Sequence, residues 1–247
     1  MIPIKCEKDL EMLKDSGRIL ARVLKRLQEL IQPNLTTAEI DRLAEEFVER
    51  EGASCAFKGY KGFPASVCTS VNEEIVHGIP GNRRLKEGDI ISLDLGVNFK
   101  GYFSDAAVTL PVGRIRPYLR NLIEVTRTAL SKGIQVARID NNLSDISYTI
   151  QSHVEKNGYS VVRQFVGHGI GFQLHEEPEI PNFGRPHQGP MLKKGMVLAI
   201  EPMVNMGTWE SELLENGWTA VSKDKSPSAH FEHTVAITER GPQILTN

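Results

Sequence analysis

The sequence lacks the cysteine pattern of a disulfide-bonded or zinc-stapled protein. Its three cysteines, Cys6, Cys55 and Cys68, are odd in number, widely spaced and without a C-x-x-C pair. They form neither a disulfide framework nor a structural zinc knuckle, so we expect reduced thiols that are buried or line a pocket. Long apolar runs are missing as well, because no segment approaches about 18 consecutive apolar residues. Charged residues also stand near the start of the chain, where a secretory signal would need an apolar stretch. We therefore expect a cytoplasmic protein.

An excess of charge of either sign is also missing. Lysine plus arginine number 29 against 31 aspartate plus glutamate, which gives a formal net charge of −2 at pH 7. Such a chain has no general positive field to attract nucleic acid or an anionic membrane. With 247 residues, 40% of them hydrophobic, it is long enough to bury a core around a deep site. We expect neither nucleic acid nor a membrane as a partner.

Apolar periodicity and chain breakers predict an alternation of helices and strands. The predicted helices run from about Leu13 to Pro33, Thr36 to Gly52, Tyr118 to Ala137 and Ser144 to Lys156, the second opening on a capping box. The predicted strands are Ala65–Val71, Ile90–Val97, Tyr102–Leu110, Ser160–Phe165, Val197–Val204 and Thr234–Thr238, with a hairpin loop at Asn98–Gly101. No low-complexity linker divides these segments, so we expect one α+β domain over residues 1–247.

Three segments of the first half recur in the second half in the same order. One shared pattern is Lys-x-Gly-x followed by two apolar residues, a small residue, an apolar residue and an acid. The matched pairs are Lys86–Asp94 with Lys193–Glu201, Asp105–Leu110 with Glu232–Ile237, and His77-Gly78-Ile79 with His168-Gly169-Ile170. Three matches in one order indicate two related halves that face each other across a pseudo-twofold axis. The acids of the repeated strands are then expected to converge.

The repeated acids are candidates for a metal site. Asp94 and Glu201 each end an apolar run, where an isolated ionised carboxylate is very unfavourable. Taken singly, such an acid fits a cap or a surface ion pair as well as a ligand. Neither strand offers a lysine or arginine at matching depth, whereas a metal ion neutralises several carboxylates at once. Four acids in two symmetry-related pairs with one histidine suit two divalent ions, and an oxygen and nitrogen donor set suits Mn, Fe, Co or Zn.

Histidines accompany these acids. His168 lies among the glycines of Gly167–Gly171, which let backbone or substrate come close, and His175 follows seven residues later. Two ions roughly 3.5 to 4 Å apart would hold a bridging water and lower its pKa, which predicts hydrolysis. Histidines beyond the ligand set, such as His77, suit proton transfer and stabilisation of an oxyanion.

The remaining histidines are assigned differently. A lone histidine is more often structural than a ligand, and we assign structural roles to His153 and His187. His230 and His233 flank Glu232 closely. Because alternation along a strand points His233 away from Glu232, we place both of these histidines outside the ligand set.

As an ordered set, these residues resemble the type I methionine aminopeptidases in their short bacterial form, without an N-terminal zinc-finger extension. The resemblance covers nearly the whole chain and is carried by Val76–Pro80, Asp94, Asp105, Gly167–Gly171, His175–Pro178, Ile200–Met203 and Phe231–Thr234. It implies the pita-bread fold, two αβ halves about a pseudo-twofold axis with the metal site between them. It also implies a dinuclear metallo-exopeptidase that removes the initiator methionine from nascent proteins when the second residue is small.

The resemblance implies a role for each matched position. The implied metal ligands are Asp94, Asp105, His168, Glu201 and Glu232, with Asp105 and Glu232 bridging both ions. Glu201 is also the implied general base for a metal-bridging hydroxide that attacks the scissile carbonyl, while His77 and His175 hydrogen-bond the scissile region. The implied methionine pocket consists of Phe57, Tyr60, Phe63, Cys68, Leu174 and Trp218, soft walls suited to a thioether. Family members usually have Cys at the position of Phe57 and commonly Phe at that of Leu174, so these two departures alter the pocket and leave the metal chemistry intact.

Two other functions share parts of this pattern. A proline-directed dipeptidase or aminopeptidase of the same fold would share the five ligands, but those relatives carry an additional N-terminal domain and only a short segment precedes His77 here. A binding protein that has lost catalysis would lack ligands or gain a basic tail, whereas this chain keeps all five ligands and is net acidic. The resemblance therefore favours the methionine enzyme, a monomer acting on nascent polypeptide N-termini, and leaves ribosome association open.

Overall fold

The computed structural model describes residues 1–247 and contains four helices and fifteen strands. The helices are α1 (Glu7–Leu30), α2 (Thr37–Arg50), α3 (Pro117–Val136) and α4 (Leu143–Lys156). The strands are β1 (Ser54–Cys55), β2 (Cys68–Val71), β3 (Glu74–Val76), β4 (Ile90–Phe99), β5 (Tyr102–Pro111), β6 (Ser160–Val161), β7 (Gly167–Gly169), β8 (Glu176–Ile180), β9 (Val197–Ile200), β10 (Met203–Asn205), β11 (Ser211–Leu213), β12 (Ala220–Ser222), β13 (Ser228–His230), β14 (His233–Thr238) and β15 (Gly241–Ile244). None of the four helices combines enough length and apolar character to cross a bilayer.

The first half is an antiparallel sheet covered by two helices. Strand β4 pairs with β5 along its whole length and with β1 and β2 on its other edge. Helix α1 packs across β4 and β5, and α2 packs against α1. Leu20, Ile40 and Leu93 are fully buried in the cluster between them. Burying each such side chain contributes about 1.5 to 3 kcal/mol, which is why the apolar stripe of α1 faces the sheet.

The second half repeats this arrangement. Its five-stranded sheet has the order β15-β14-β9-β7-β8, and α3 and α4 pack against each other beside it. Leu122, Ile146 and Leu198 are fully buried in the corresponding cluster. Two smaller three-stranded sheets, β13-β10-β6 and β11-β12-β3, complete the strand pairing.

The two halves meet where β5 approaches β14. The Glu232 N–H donates to the carbonyl oxygen of Ala107 at 2.9 Å. Thr234 Oγ1 accepts from the Asp105 N–H at 2.9 Å and donates to the Asp105 carbonyl oxygen at 2.8 Å. These bonds join the repeated segments of the two halves, so the acids of both repeats lie on either side of one junction.

All four predicted helices are present, with somewhat different ends. Helix α1 begins earlier than expected because Asp9 Oδ2 accepts from the Cys6 N–H at 2.9 Å and so supports the first turn. The capping box of α2 forms as predicted, with the Thr36 N–H donating to Glu39 Oε2 at 2.8 Å and the Glu39 N–H donating to Thr36 Oγ1 at 3.2 Å.

One predicted strand is divided in two. The segment Val197–Val204 breaks into β9 and β10 at Glu201 and Pro202. Proline has no N–H to donate to a ladder, so the strand pairing stops there. Glu201 therefore follows the end of β9, the central strand of its sheet, and lines the same cavity as the other acids.

Two further predicted strands are shorter than expected. In Ala65–Val71 pairing begins only at Cys68, because the N–H groups of Ser66 and Val67 donate to Asp41 Oδ1 at 2.7 and 3.1 Å. In Ser160–Phe165 pairing ends at Val161, and the chain beyond it turns towards a pocket that Phe165 lines. In both cases a tertiary contact replaces the ladder that local sequence favours.

The contact between α1 and the C-terminal segment can be tested at Gly17. A Cβ at this position would lie 2.2 Å from the carbonyl oxygen of Leu245. We expect Gly17→Ala to lower the free energy of unfolding by about 1 to 3 kcal/mol, even though alanine favours helix, when measured by urea unfolding. Gly81→Ala is the matched control, because no atom lies within 4 Å of a Cβ built there. Equal stabilities of Gly17→Ala and the parent would contradict the described packing.

Candidate metal centre

The first half contributes two neighbouring carboxylates. Asp94 lies in β4, and Asp105 lies in β5 opposite Gly96, which is two residues from Asp94. Since side chains alternate along a strand, both carboxylates lie on the same face of the sheet. Both residues are buried.

The second half contributes a histidine and two more carboxylates. His168 of β7 pairs with Ala199 of β9, and Glu201 lies two residues beyond Ala199 on the same face. His233, the first residue of β14, pairs with Ile200, so the adjacent Glu232 approaches the same end of β9. His168 and Glu232 are buried, and the side chain of Glu201 is 11% exposed.

The strand register around His168 depends on two glycines. A Cβ on Gly167 would lie 2.4 Å from the carbonyl oxygen of Ala199, and one on Gly169 would lie 2.1 Å from that of Glu177. Any side chain at either position would push β7 away from its neighbours. The glycines thus hold the imidazole close to β9 and to its carboxylate.

The converging side chains have the geometry of an ion-binding site. One potential ligand atom from each of Asp105, His168 and Glu232 lies within 4.8 Å of the others. His168 Nε2 is 3.5 Å from Glu201 Oε1. His168 Nδ1 is 2.9 Å from the carbonyl oxygen of Gly169, which can only accept, so Nδ1 carries the proton and Nε2 presents its lone pair.

Several buried oxygens in this cluster have no hydrogen-bond partner. They are Asp94 Oδ1, Asp105 Oδ1 and Glu232 Oε1. A buried polar atom without a partner costs about 1 to 3 kcal/mol, so unpaired carboxylate oxygens facing one point indicate a missing positive partner. The donor chemistry and these unpaired atoms fit divalent cations.

The electrostatics of the cluster lead to the same conclusion. Burial raises the pKa of Asp94 to about 7 and raises those of Asp105, Glu201 and Glu232 well above their usual range, with mutual repulsion adding to the shift of the last three. Burial lowers the pKa of His168 to about 4, so its imidazole is neutral near pH 7. Without a bound cation the site holds carboxylates that resist ionisation, and a divalent ion removes this penalty.

Asp94, Asp105, His168, Glu201 and Glu232 all line one cavity of about 350 Å³. Its walls include all six residues that the sequence assigns to a methionine pocket, Phe57, Tyr60, Phe63, Cys68, Leu174 and Trp218. The Phe63 and Trp218 rings meet edge to face with centroids 5.2 Å apart. The cavity is therefore a narrow, largely apolar pocket that ends at ionisable groups.

Two histidines line the cavity beside the cluster. His77 has a φ of 58°, a left-handed conformation that is costly for a residue other than glycine, and its ring contacts Phe165 at a centroid distance of 5.4 Å. His175 has its ring centroid 4.2 Å from that of His168, and its Nδ1 is 2.9 Å from the Tyr60 hydroxyl. Burial lowers the pKa of His77 and lowers that of His175 to about 3, so both rings are neutral at neutral pH.

A buried ion pair fixes the loop that carries Leu174 and His175. Lys5 Nζ donates to Glu176 Oε2, and both side chains are almost fully buried. Glu176 Oε1 accepts from the Phe172 N–H at 2.7 Å and from the Gln173 N–H at 3.1 Å. No local pattern predicts this pairing of residues 171 positions apart, since an isolated lysine near the start of a chain is usually solvated.

The structure adds residues that sequence analysis missed. Lys61, Val76, Gln164, Phe165, Val166 and Met203 also line the cavity. His233 points away from the cluster as expected, with its Nδ1 2.9 Å from Thr246 Oγ1. His230 does not line the cavity, but its Nε2 lies 3.8 Å from Glu201 Oε2.

Comparison with known proteins agrees with this geometry. Residues 11–239 match metallopeptidase family M24. The chain is 53% identical to a methionine aminopeptidase of Clostridium perfringens over 246 residues, covering 100% of this chain and 99% of that protein. It is 51% identical to methionine aminopeptidase 1 of Bacillus subtilis, again over 100% of this chain and 99% of the relative.

Solved structures share the fold. The crystal structure of methionine aminopeptidase from Rickettsia prowazekii has a TM-score of 0.99 and 42% identity, with complete coverage of both chains. Prolidase from Pyrococcus furiosus has a TM-score of 0.80 and 24% identity, and the match covers 99% of this chain but 65% of the prolidase. The predicted α+β pita-bread fold is confirmed by these matches.

The burial of Asp94 predicts a pH dependence for the metal-free protein. Because its folded pKa of about 7 lies above the ordinary value of 3.8, its contribution to stability is complete below pH 4 and is lost as the pH rises through 7. We expect the free energy of unfolding of the chelator-treated parent to fall more steeply than that of Asp94→Asn between about pH 5.5 and pH 8, measured by urea unfolding. Identical pH profiles of the two proteins would show that Asp94 is not desolvated.

Proposed function

Because this chain belongs to metallopeptidase family M24 and, within it, to the methionine aminopeptidases, we propose that it uses two divalent ions to remove the initiator methionine from nascent proteins. The reaction itself, metal-dependent hydrolytic release of N-terminal methionine, follows from full-length relatives at 40 to 53% identity. The proposal adds the number of ions, the residues that hold them and the physiological substrate.

One observation carries the assignment of the site. Side chains from both halves line one cavity, and three of their buried carboxylate oxygens have no partner within the protein. We propose that Asp94, Asp105, His168, Glu201 and Glu232 would hold the two ions. Manganese, iron, cobalt and zinc all suit these oxygen and nitrogen donors.

Bound divalent ions supply a water molecule with a pKa near neutrality. The protein's own residues then prepare the reaction. Glu201, whose side chain lines the cavity, accepts a proton from the attacking water.

His77 and His175 act on the scissile carbonyl. If the Tyr60 hydroxyl donates to His175 Nδ1, the proton of the neutral imidazole lies on Nε2, from which it can donate to the substrate. His77 has no hydrogen-bond partner that competes for its ring, and its strained backbone aims the ring at the pocket between Phe165 and Trp218. Two neutral donors next to the carbonyl stabilise the negative charge that develops during attack.

The pocket selects the first residue of the substrate. Its aromatic and aliphatic walls accept a flexible, polarisable thioether, and a cavity of about 350 Å³ is narrow for a longer peptide segment. The Phe57 ring packs on Gly96, where a Cβ would lie 2.6 Å from Phe57 Cε1. We propose that Phe57 and Leu174, the two departures from the usual family pattern, shape this wall and set the tolerance for methionine analogues.

The surroundings of the reaction are also part of the proposal. We propose that residues 1–247 act as one catalytic domain and as a monomer in the cytoplasm, on the N-termini of nascent chains with a small second residue. A net charge of −2 opposes general binding to nucleic acid, so any association with the ribosome depends on a local surface.

A peptide panel tests the function. We expect metal-stripped protein, titrated with Mn²⁺, Co²⁺, Fe²⁺ or Zn²⁺, to release free methionine from Met-Gly-Met-Met and Met-Pro peptides but not from a Met-Leu control.

Glu201→Gln is expected to lose nearly all turnover while keeping the fold, measured by free methionine and by circular dichroism. No cleavage with any metal by a folded protein, or appreciable turnover by Glu201→Gln, would overturn the proposal.

A second prediction separates the histidines from the ligands. We expect His77→Ala to lower kcat by roughly 100-fold or more, because it removes a donor to the developing oxyanion, with little change in bound metal. Metal content by atomic emission and steady-state kinetics on one Met-Gly peptide measure the two effects. A loss of bound metal in His77→Ala would instead make His77 a ligand.

A further inference from the structure

His230 is a buried histidine that the proposed reaction does not use. It lies at the end of β13 and is 1% exposed, yet neither of its ring nitrogens has a hydrogen-bond partner. A neutral imidazole carries one N–H donor and one acceptor nitrogen. Leaving the donor unpaired in a protein interior costs about 1 to 3 kcal/mol, so this ring is expected to have a partner in the working enzyme.

The nearest candidate partner is Glu201. His230 Nε2 lies 3.8 Å from Glu201 Oε2, while His168 Nε2 lies 3.5 Å from the other oxygen, Oε1. The carboxylate of Glu201 thus lies between two imidazoles, one on each oxygen. A gap of 3.8 Å is too short to contain a water molecule and slightly too long for a direct hydrogen bond.

The backbone of His230 is fixed to the first half of the molecule. Its N–H donates to Thr109 Oγ1 at 2.8 Å, and Thr109 Oγ1 donates to its carbonyl oxygen at 2.8 Å. The residue also pairs with Met203, two residues beyond Glu201. Because the main chain is held on both sides, the ring can approach Glu201 only by a small rotation of either side chain. His230 does not line the cavity, so it approaches the carboxylate from behind.

We propose that His230 is a positioning residue for Glu201. Its Nε2–H donates to Glu201 Oε2. This bond leaves Oε1 facing His168 and the pocket, where Oε1 would hold an ion and accept a proton from the attacking water. A small rotation of either side chain would close the 3.8 Å gap and leave Oε1 available to the proposed metal site. The proposal rests on the role proposed for Glu201 above.

Three substitutions at one position test the donor role. His230→Gln keeps an N–H donor at similar reach, His230→Leu keeps the volume without a donor, and His230→Asn has a donor that is one methylene too short. The measurements are the Mn²⁺ dissociation constant of the metal-free protein by calorimetry, kcat and KM on a Met-Gly peptide, and thermal unfolding. His153→Leu, in α4, controls for the loss of a histidine away from the site.

We expect His230→Leu and His230→Asn to weaken Mn²⁺ binding and to lower kcat, each by roughly 10- to 100-fold, with KM changed by less than about threefold. We expect His230→Gln to recover most of both losses. If the leucine variant does not fold, the comparison of glutamine with asparagine carries the same test, because both are polar.

Three outcomes would overturn the proposal. Parent-like Mn²⁺ affinity and kcat in His230→Leu would leave His230 as a core-filling residue. Equal losses in the glutamine and leucine variants would show that the donor is not the property that matters. Loss of a whole equivalent of bound Mn²⁺ in every variant would make His230 a ligand. Failure of the proposed function is distinguishable, because the parent protein would then cleave no Met-Gly peptide with any metal.

Discussion

The structure depends on the burial of four carboxylates at the junction between its two halves. In water each would be ionised, but here burial raises all four pKa values, and three of the carboxylates keep an oxygen with no partner in the protein. A fold can bury this many carboxylates in one place only if positive charge neutralises them. Divalent cations supply this positive charge. Burial of the four carboxylates is therefore favourable when the protein binds metal.

The two-half architecture makes that concentration possible. Each half supplies one acid from the middle or end of a central strand and one from its neighbour, and the β5–β14 hydrogen bonds bring the two sets together. The same junction leaves a cavity that all four acids line. His168 completes the site from within β7, whereas His77 and His175 lie just outside the ends of β3 and β8.

Sequence alone identified the repeat, the acids and the histidines of the pocket, because these signals are local or repeat in register. Asp94 and Glu201 stand at equivalent positions of two matching segments, so one alignment located both. The break between β9 and β10 could have been expected from Pro202, whose missing N–H ends the ladder. The Lys5–Glu176 pair and the approach of His230 to Glu201 could not, since both join residues that are distant in sequence and depend on how packed elements meet. The shortened strand at Ser66 and Val67 has the same cause, a distant aspartate that competes for backbone N–H groups.

The proposed metal ligands are divided between the two halves, and this division links metal binding to the stability of the fold. Asp94 and Asp105 belong to one half and His168, Glu201 and Glu232 to the other, so neither half alone offers the complete donor set. Cations that bind the assembled site and not the unfolded chain add their binding free energy to the stability of the whole fold. Removal of metal would then shorten the lifetime of the folded protein against proteolysis as well as slow its reaction.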